Sequence, residues 1–154
     1  MSEQLLAPER REAVVSDACD LIDAQVAHAS GATGLVMRSA YAVVRGVRPN
    51  AVPGVVDELL PEFAAQVEQY HQESNRTGRP LVDVLHDDPG AVADALLAVA
   101  DRRVERSSRG TVRAAYKRVR RLAKRHVEAA LPGAAELVEK HTAAPVEEHT
   151  DSVP

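Results

Sequence analysis

Several groups of residues in this 154-residue chain have types and spacings that chemistry could use. The densest is Arg102 to Arg125, RRVERSSRGTVRAAYKRVRRLAKR, which holds eleven of the nineteen Arg and Lys residues against one acid, Glu105. Wound into a helix, such a run lays cations along a phosphate backbone or an anionic lipid surface. Glu68-x-x-His71 and Asp83-x-x-His86 each place a carboxylate and an imidazole on one helical face. Paired Glu-x-x-His motifs of that spacing build di-iron sites in four-helix bundles. Cys19 is the only thiol, Tyr41 and Tyr116 offer phenols, and Gly31-Ala32-Thr33-Gly34 is the nearest approach to a phosphate loop.

Most of these groups have a simpler reading. A di-iron site needs four carboxylates and two histidines converging, and no second inward pair of carboxylates is evident. Asp87 and Asp88 follow His86 as a polar turn and cap, so no metal ligand is assigned. Cys19 falls on an apolar stripe and reads as a packed, inert thiol. Ser30, Thr33, Ser108 and Thr111 stand at helix starts, where capping accounts for hydroxyls. The Gly31–Gly34 segment lacks the spacing and the lysine of a nucleotide-binding loop. Tyr41 and Tyr116 read as paired core residues with a hydroxyl at the rim. No catalytic or cofactor-binding residue is assigned, no cofactor is expected, and the chain is read as a non-enzyme.

The basic stretch survives this sorting. Val112, Ala115, Tyr116, Val119, Leu122, Ala123 and Val127 share one helical face and are expected to pack inward. Arg113, Lys117, Arg118, Arg120, Arg121, Lys124 and Arg125 are left outward as candidate polyanion contacts. The competing expectation is that Asp57, Glu58, Glu62 and Glu68 neutralise them, within the fold or in a partner subunit. No DNA-binding motif and no exposed aromatic platform accompanies the stretch.

Composition narrows the classes further. The net charge is −4, so attraction to polyanions must be local rather than global. One cysteine excludes an intramolecular disulfide framework and a cysteine-based zinc site. The N-terminal MSEQLLAPERR has no apolar run of signal-peptide length, and no segment approaches a membrane span. A cytoplasmic protein without a transmembrane segment is therefore expected. Aromatics are 3% of residues and Trp is absent, so the core must be built from Val, Leu, Ala and Ile.

The elements that would carry these groups are helices. A first helix starts near Pro8, with Val15, Cys19, Ile22 and Val26 as its stripe. Ser30-Gly31 breaks it, and a second carries Met37, Ala40, Tyr41, Val44 and Val47 on one face. Asn50 is read as the cap of a third, with Val52, Val56, Leu59, Phe63, Val67 and Tyr70 inward and a kink or break at Leu60-Pro61. HQESNRTGRP (71–80) reads as the main loop, LVDVLH as a short helical turn, and Asp88-Pro89 as a cap and first turn. Ala93, Leu97, Ala100 and Val104 form the next stripe. The basic helix then spans about Thr111 to Ala130, and Pro132-Gly133 predicts a turn before AAELVEKH.

The halves echo each other. A shift of 78 lays Ala13, Val14, Asp23, Val26, Ser30 and Thr33 on Ala91, Val92, Asp101, Val104, Ser108 and Thr111. After a gap, AYAVVR matches AYKRVR; after another, Leu60-Pro61, Ala64, Val67 and Glu68 match Leu131-Pro132, Ala135, Val138 and Glu139. The reading is an all-α antiparallel bundle built from two duplicated helical hairpins. One helical domain is expected over residues 1–141, with halves of about 8–71 and 86–141 and a disordered tail over 142–154. With SGATGLVMRSAYAVVRGVRP, LLPEF, ADALLAVADRRVERSS and AYKRVRR, the chain resembles a small family of high-GC, actinobacterial-type helical proteins. That resemblance implies a helical fold and no particular activity. The expected function is a helical interaction module, self-associating or binding a protein partner through a charge-polarised surface. The alternative is nucleic-acid or anionic-membrane binding through Arg102 to Arg125. A metal-binding or enzymatic bundle stands third.

Overall fold

The computed structural model describes residues 1–47 and 51–143. Among them are seven helices and no strand: α1 (Ser2–Leu6), α2 (Pro8–His28), α3 (Gly31–Val47), α4 (Ala51–Thr77), α5 (Leu81–Asp87), α6 (Pro89–Glu105) and α7 (Gly110–Thr142). The fold is all-α. Two long helices, α4 and α7, are its spines: each packs against α2, α3, α5 and α6, with α1 closing over both.

Local chemistry explains most boundaries. Pro8 opens α2 where its missing N–H is no loss. Asp88 caps α6, its Oδ1 accepting from the Ala91 N–H at 3.1 Å, with Pro89 in the first turn. α4 stops at Gly78, whose φ of +69° is open to glycine at no steric cost, and Pro80 prevents resumption. The expected cap Asn50 lies outside the described residues.

Two sequence-based expectations fail here, and of the kink or break expected at Leu60-Pro61 the break is absent. The predicted main loop over 71–80 is helix as far as Thr77. Polar residues there bond along the helix instead of breaking it: Arg76 pairs with Glu73 three residues earlier at 2.5 Å, and the Thr77 hydroxyl donates to the Glu73 carbonyl at 2.7 Å. Pro61 does not interrupt α4. Proline removes the N–H that would bond the Asp57 carbonyl, and Arg11 of α2 replaces it, its Nη2 donating to that oxygen at 2.8 Å. Pro132-Gly133 makes no turn either, and α7 runs on to Thr142, just beyond the expected domain end. Gly133 faces α2, where a Cβ would stand 2.5 Å from Leu21 Cδ1, so glycine admits the close packing of the two helices. Of the expected tail, residues 144–154 lie outside the described residues.

The main core cluster joins six of the helices. Leu60 and Ala64 of α4, Leu81 and Leu85 of α5, Val92 of α6 and Leu131, Ala135 and Val138 of α7 meet Val14 of α2 and Leu5 of α1. Polar latches fasten the same region. Glu68 accepts from the Ser2 N–H at 2.8 Å and the Ser2 hydroxyl at 2.6 Å. Asp17 of α2 holds the end of α7, with Lys140 Nζ at 2.8 Å and His141 Nε2 at 2.7 Å. α3, which is not part of that cluster, packs on α7; Ala40 and Ala115 are buried, and Leu35 and Val43 of α3 and Ile22 of α2 are exposed. Gly34, in the first turn of α3, has no room for a Cβ beside the Ala29 carbonyl.

The α2 stripe is rotated from the one predicted. Val14 is fully buried, whereas Val15, Cys19 and Val26 are half-buried and Ile22 is exposed. The inward faces of α6 and α7 match expectation: Ala93, Leu97 and Ala115 are buried, and Tyr116, Val119 and Leu122 half-buried. Val44 and Val47 of the α3 stripe have side chains outside what is described.

A cationic ridge as candidate functional site

Helix geometry divides the basic stretch into two groups. At 3.6 residues per turn, positions four apart stack on one face. Arg113, Lys117, Arg121 and Arg125 follow that spacing, and all four are exposed, with Arg118 exposed beside them. They form a ridge about 18 Å long at 1.5 Å per residue. Among the described residues none of these five has a carboxylate within ion-pair reach; the α7 cations that do are Arg120, Lys124 and Lys140. Arg113 Nη1 donates to the Ser107 carbonyl at 2.8 Å, which ties the start of the ridge to the α6–α7 connection.

Arg120 and Lys124 face α6, away from the ridge. Arg120 Nε donates to Asp101 Oδ1 at 2.9 Å, and Lys124 Nζ donates to Asp94 Oδ2 at 2.9 Å. Both side chains are half-buried, so of the seven cations named from the sequence these two are structural ties. The acids expected to neutralise α7 are engaged elsewhere. Glu62 pairs with Arg102 and Arg106, and Glu58 with Arg103, all at the end of α6. Arg103 Nε lies 3.0 Å from Glu58 Oε1 without hydrogen-bond alignment, so that attraction is Coulombic. Asp57 is bonded to Arg11, and Glu68 to Ser2. Arg102, Arg103 and Arg106 at the start of the basic stretch are thus paired within the fold, and the ridge is not.

A second arrangement links α6 to α7 and recurs between α2 and α3. The Tyr116 hydroxyl donates to Asp101 Oδ1 at 2.6 Å, on the carboxylate that also receives Arg120. The Tyr41 hydroxyl donates to Asp23 Oδ1, and Arg45 sits over the Tyr41 ring, 5.6 Å from its centroid. Burial and the Asp23 bond push the Tyr41 phenol up to about 12; burial and Asp101 raise Tyr116 further in the same direction. Both phenols stay protonated at neutral pH and act as donors, which suits a clamp and not a general base. Partial burial pushes the Asp101 carboxyl up, but the bonds from Tyr116 and Arg120 outweigh it and hold it below the usual carboxylate range.

The other candidate groups are not brought together. Glu68 is occupied by α1, His71 Nδ1 lies 3.3 Å from Asn75 Nδ2, and His86 Nδ1 donates to the Val82 carbonyl at 2.8 Å. No group of three or more His, Cys, Asp and Glu among the described residues could hold a metal ion. Two shallow clefts flank the N-terminal helices, one lined by Met1 and Glu68 and one by Arg11 and Asp57. No helix among the described residues is long and apolar enough to cross a membrane.

Cys19 is half-buried rather than packed away. Partial burial, then the Asp23 and Asp20 carboxylates, push its thiol up, which limits the reactive thiolate at neutral pH. A maleimide or disulfide reagent is expected to label the native protein at pH 7.5 more slowly than a free thiol. The rate should climb steadily as pH rises toward and past 9, because only deprotonation limits it. Labelling confined to unfolded protein would instead place the thiol inside the core.

No curated protein matches the chain, and no solved structure does. A family model described as a family of unknown function (DUF6918) matches residues 1–142, nearly all of the helical part, and the chain belongs to that family.

Proposed function

We propose that this protein is a non-enzymatic helical interaction module of the cytoplasm that engages its partner through a charge-polarised surface. The exposed ridge Arg113, Lys117, Arg121 and Arg125 is the observation that supports this reading. Five cations, counting Arg118, stand together on a protein whose net charge is −4. An opposite stripe runs along α2, where Glu9, Glu12, Asp20 and Asp23 are exposed. Glu58, Glu62, Asp94 and Asp101, which could have neutralised the ridge, are tied into internal pairs.

The scaffold is read as a duplicated hairpin, α2–α3 and α6–α7. Val14 and Val92 are both fully buried, Ala40 and Ala115 both buried, and Leu60 and Leu131 both in the core. The clamp from tyrosine to aspartate occupies matching places in each hairpin. On α3 the positions equivalent to Lys117, Arg118 and Arg121 are Ala42, Val43 and Gly46. The ridge thus belongs to one copy alone, as expected if the copies diverged toward different contacts.

Chromatography tests the reading directly. A protein with a pI near 5.9 should pass through a sulfonate cation exchanger at pH 7.5 unless its positive charge is segregated on one face. The full chain is expected to be retained at low salt and to elute within a salt gradient. Lys117→Ala/Arg121→Ala/Arg125→Ala should flow through while keeping its helical circular dichroism. Flow-through of the unsubstituted protein would remove the support for a charge-polarised contact surface.

A further inference from the structure

We propose that the occupant of the α7 ridge is the phosphate backbone of a nucleic-acid duplex, bound without regard to sequence; this rests on the interaction-module reading above. The ridge offers one cation per turn, about 6 Å apart, over about 18 Å. A duplex carries one charge per about 1.7 Å of axis, counting both strands, so phosphates come within reach of such a ridge whatever the base sequence. Three of the four ridge residues are arginine, whose planar fork meets phosphate oxygens in pairs. No Asn or Gln accompanies them on α7, and the proposed contact is with the backbone alone, where arginine and lysine position a duplex without reading its sequence.

Three competing occupants fit less well. A second copy could offer the α2 stripe, which spans about 21 Å between Glu9 and Asp23 at helical rise. Exposed ion pairs contribute only about 0–1 kcal/mol each, and neither stripe presents a large apolar side chain to bury. Four or five such pairs do not offset the roughly 4–15 kcal/mol lost on association. A duplex escapes that limit because its condensed counterions are released on binding. An anionic bilayer would want apolar groups beneath the cations. The exposed large apolar side chains, Ile22, Leu35 and Val43, belong to α2 and α3. Single strands bind on aromatic platforms, and the one aromatic of α7, Tyr116, is turned inward onto Asp101.

The test is fluorescence anisotropy of the full chain with a labelled mixed-sequence DNA duplex of about 20 base pairs, titrated with salt. Four to five neutralised phosphates give an expected slope of about −4 in log K against log salt. Affinity should then fall on the order of 100-fold between about 50 and 200 mM salt. Lys117→Ala/Arg121→Ala/Arg125→Ala should flatten the slope to about −1 to −2, since it removes three of those contacts. Arg76→Ala, an exposed cation of α4 paired with Glu73 and off the ridge, should leave the slope unchanged and controls for the loss of a surface charge as such. Absence of duplex binding at low salt, with retention on the sulfonate column intact, overturns the duplex while leaving the interaction module standing. So does binding to phosphatidylserine vesicles alone, or ridge-dependent self-association without duplex binding. Loss of column retention as well would overturn both readings, and a duplex slope untouched by the triple substitution would move the contact off the ridge.

Discussion

Leu131→Ala is expected to destabilise the protein by about 2–5 kcal/mol, the range for emptying a buried leucine site. Leu131 is 1% exposed and joins the core where α7 meets α1, α2 and α5. The cost depends on how far the surrounding cluster can close over the space, and that cluster draws on six helices. In a chain of this length each kcal/mol lowers the midpoint by about 2–4 °C, so a thermal melt followed by circular dichroism has ample range. Leu137, six residues on and only partly buried, is the comparison. Leu137→Ala should be clearly milder. A reversed order would mean that α7 is turned about its axis past Pro132.

What was legible in the sequence follows from the range of the interactions involved. Helical class, the Pro8 and Asp88-Pro89 starts and the inner stripes of α6 and α7 depend on residues within one or two turns, and they are found where expected. Pro61 shows the opposite case. Whether a proline breaks a helix depends on what happens to the carbonyl four residues earlier, and here the answer comes from Arg11, 46 residues away in sequence from Asp57. Nothing near Pro61 signals that rescue. Pro132-Gly133 reads as a turn by local rules, yet its glycine serves a contact with Leu21 on another helix. Polar residues 71–77 read as loop by composition, yet Glu73, Arg76 and Thr77 have the i+3 and i+4 spacing that supports helix. The α2 stripe differs from the expected one by a single residue, a little over a quarter-turn: Val14 and Val15 are equally apolar, and only tertiary packing chooses between them.

The candidate site divides in the same way. Periodicity alone puts Arg113, Lys117, Arg121 and Arg125 on one outer face. It does not say that Arg120 and Lys124, at the border of that face, are taken up by Asp101 and Asp94 of α6. A signal did exist. Asp101 aligns with Asp23, and Tyr116 with Tyr41, so the repeated Asp and Tyr could have been read as bonded partners across each hairpin and not only as positions in a stripe. Of the α4 acids Asp57, Glu58, Glu62 and Glu68, Glu58 and Glu62 neutralise Arg102, Arg103 and Arg106 at the end of α6, and none neutralises α7.

The repeated clamp supplies the second large expected effect. Asp101→Ala removes the acceptor of both Tyr116 and Arg120, leaving a half-buried phenol and a half-buried guanidinium without their partner. Hydrogen bonds to charged groups contribute about 1.5–3 kcal/mol when well buried. Asp101 is 34% exposed, so solvent screening reduces the expectation to about 1–2 kcal/mol for the site as a whole. Asp23→Ala in the first hairpin should lose less, under about 1 kcal/mol, because Asp23 is exposed and accepts from Tyr41 alone among the described residues. The pH dependence separates a carboxylate effect from simple loss of packing. The Asp101 carboxyl is held below its ordinary value in the folded protein, so its contribution is complete above about 3.8 and disappears as pH falls through the lower folded value. The stability gap between the native chain and Asp101→Ala should therefore be constant from neutral pH to about 5 and close under strongly acidic conditions. The double substitution with Tyr116→Phe should be less than additive, since both changes break one bond. If the proposed duplication is correct, Asp23 and Tyr41 should show the same pattern of coupling at smaller amplitude. Strong coupling within α6–α7 with strict additivity between Asp23 and Tyr41 would mean that the two clamps share residue types without sharing an origin or a role.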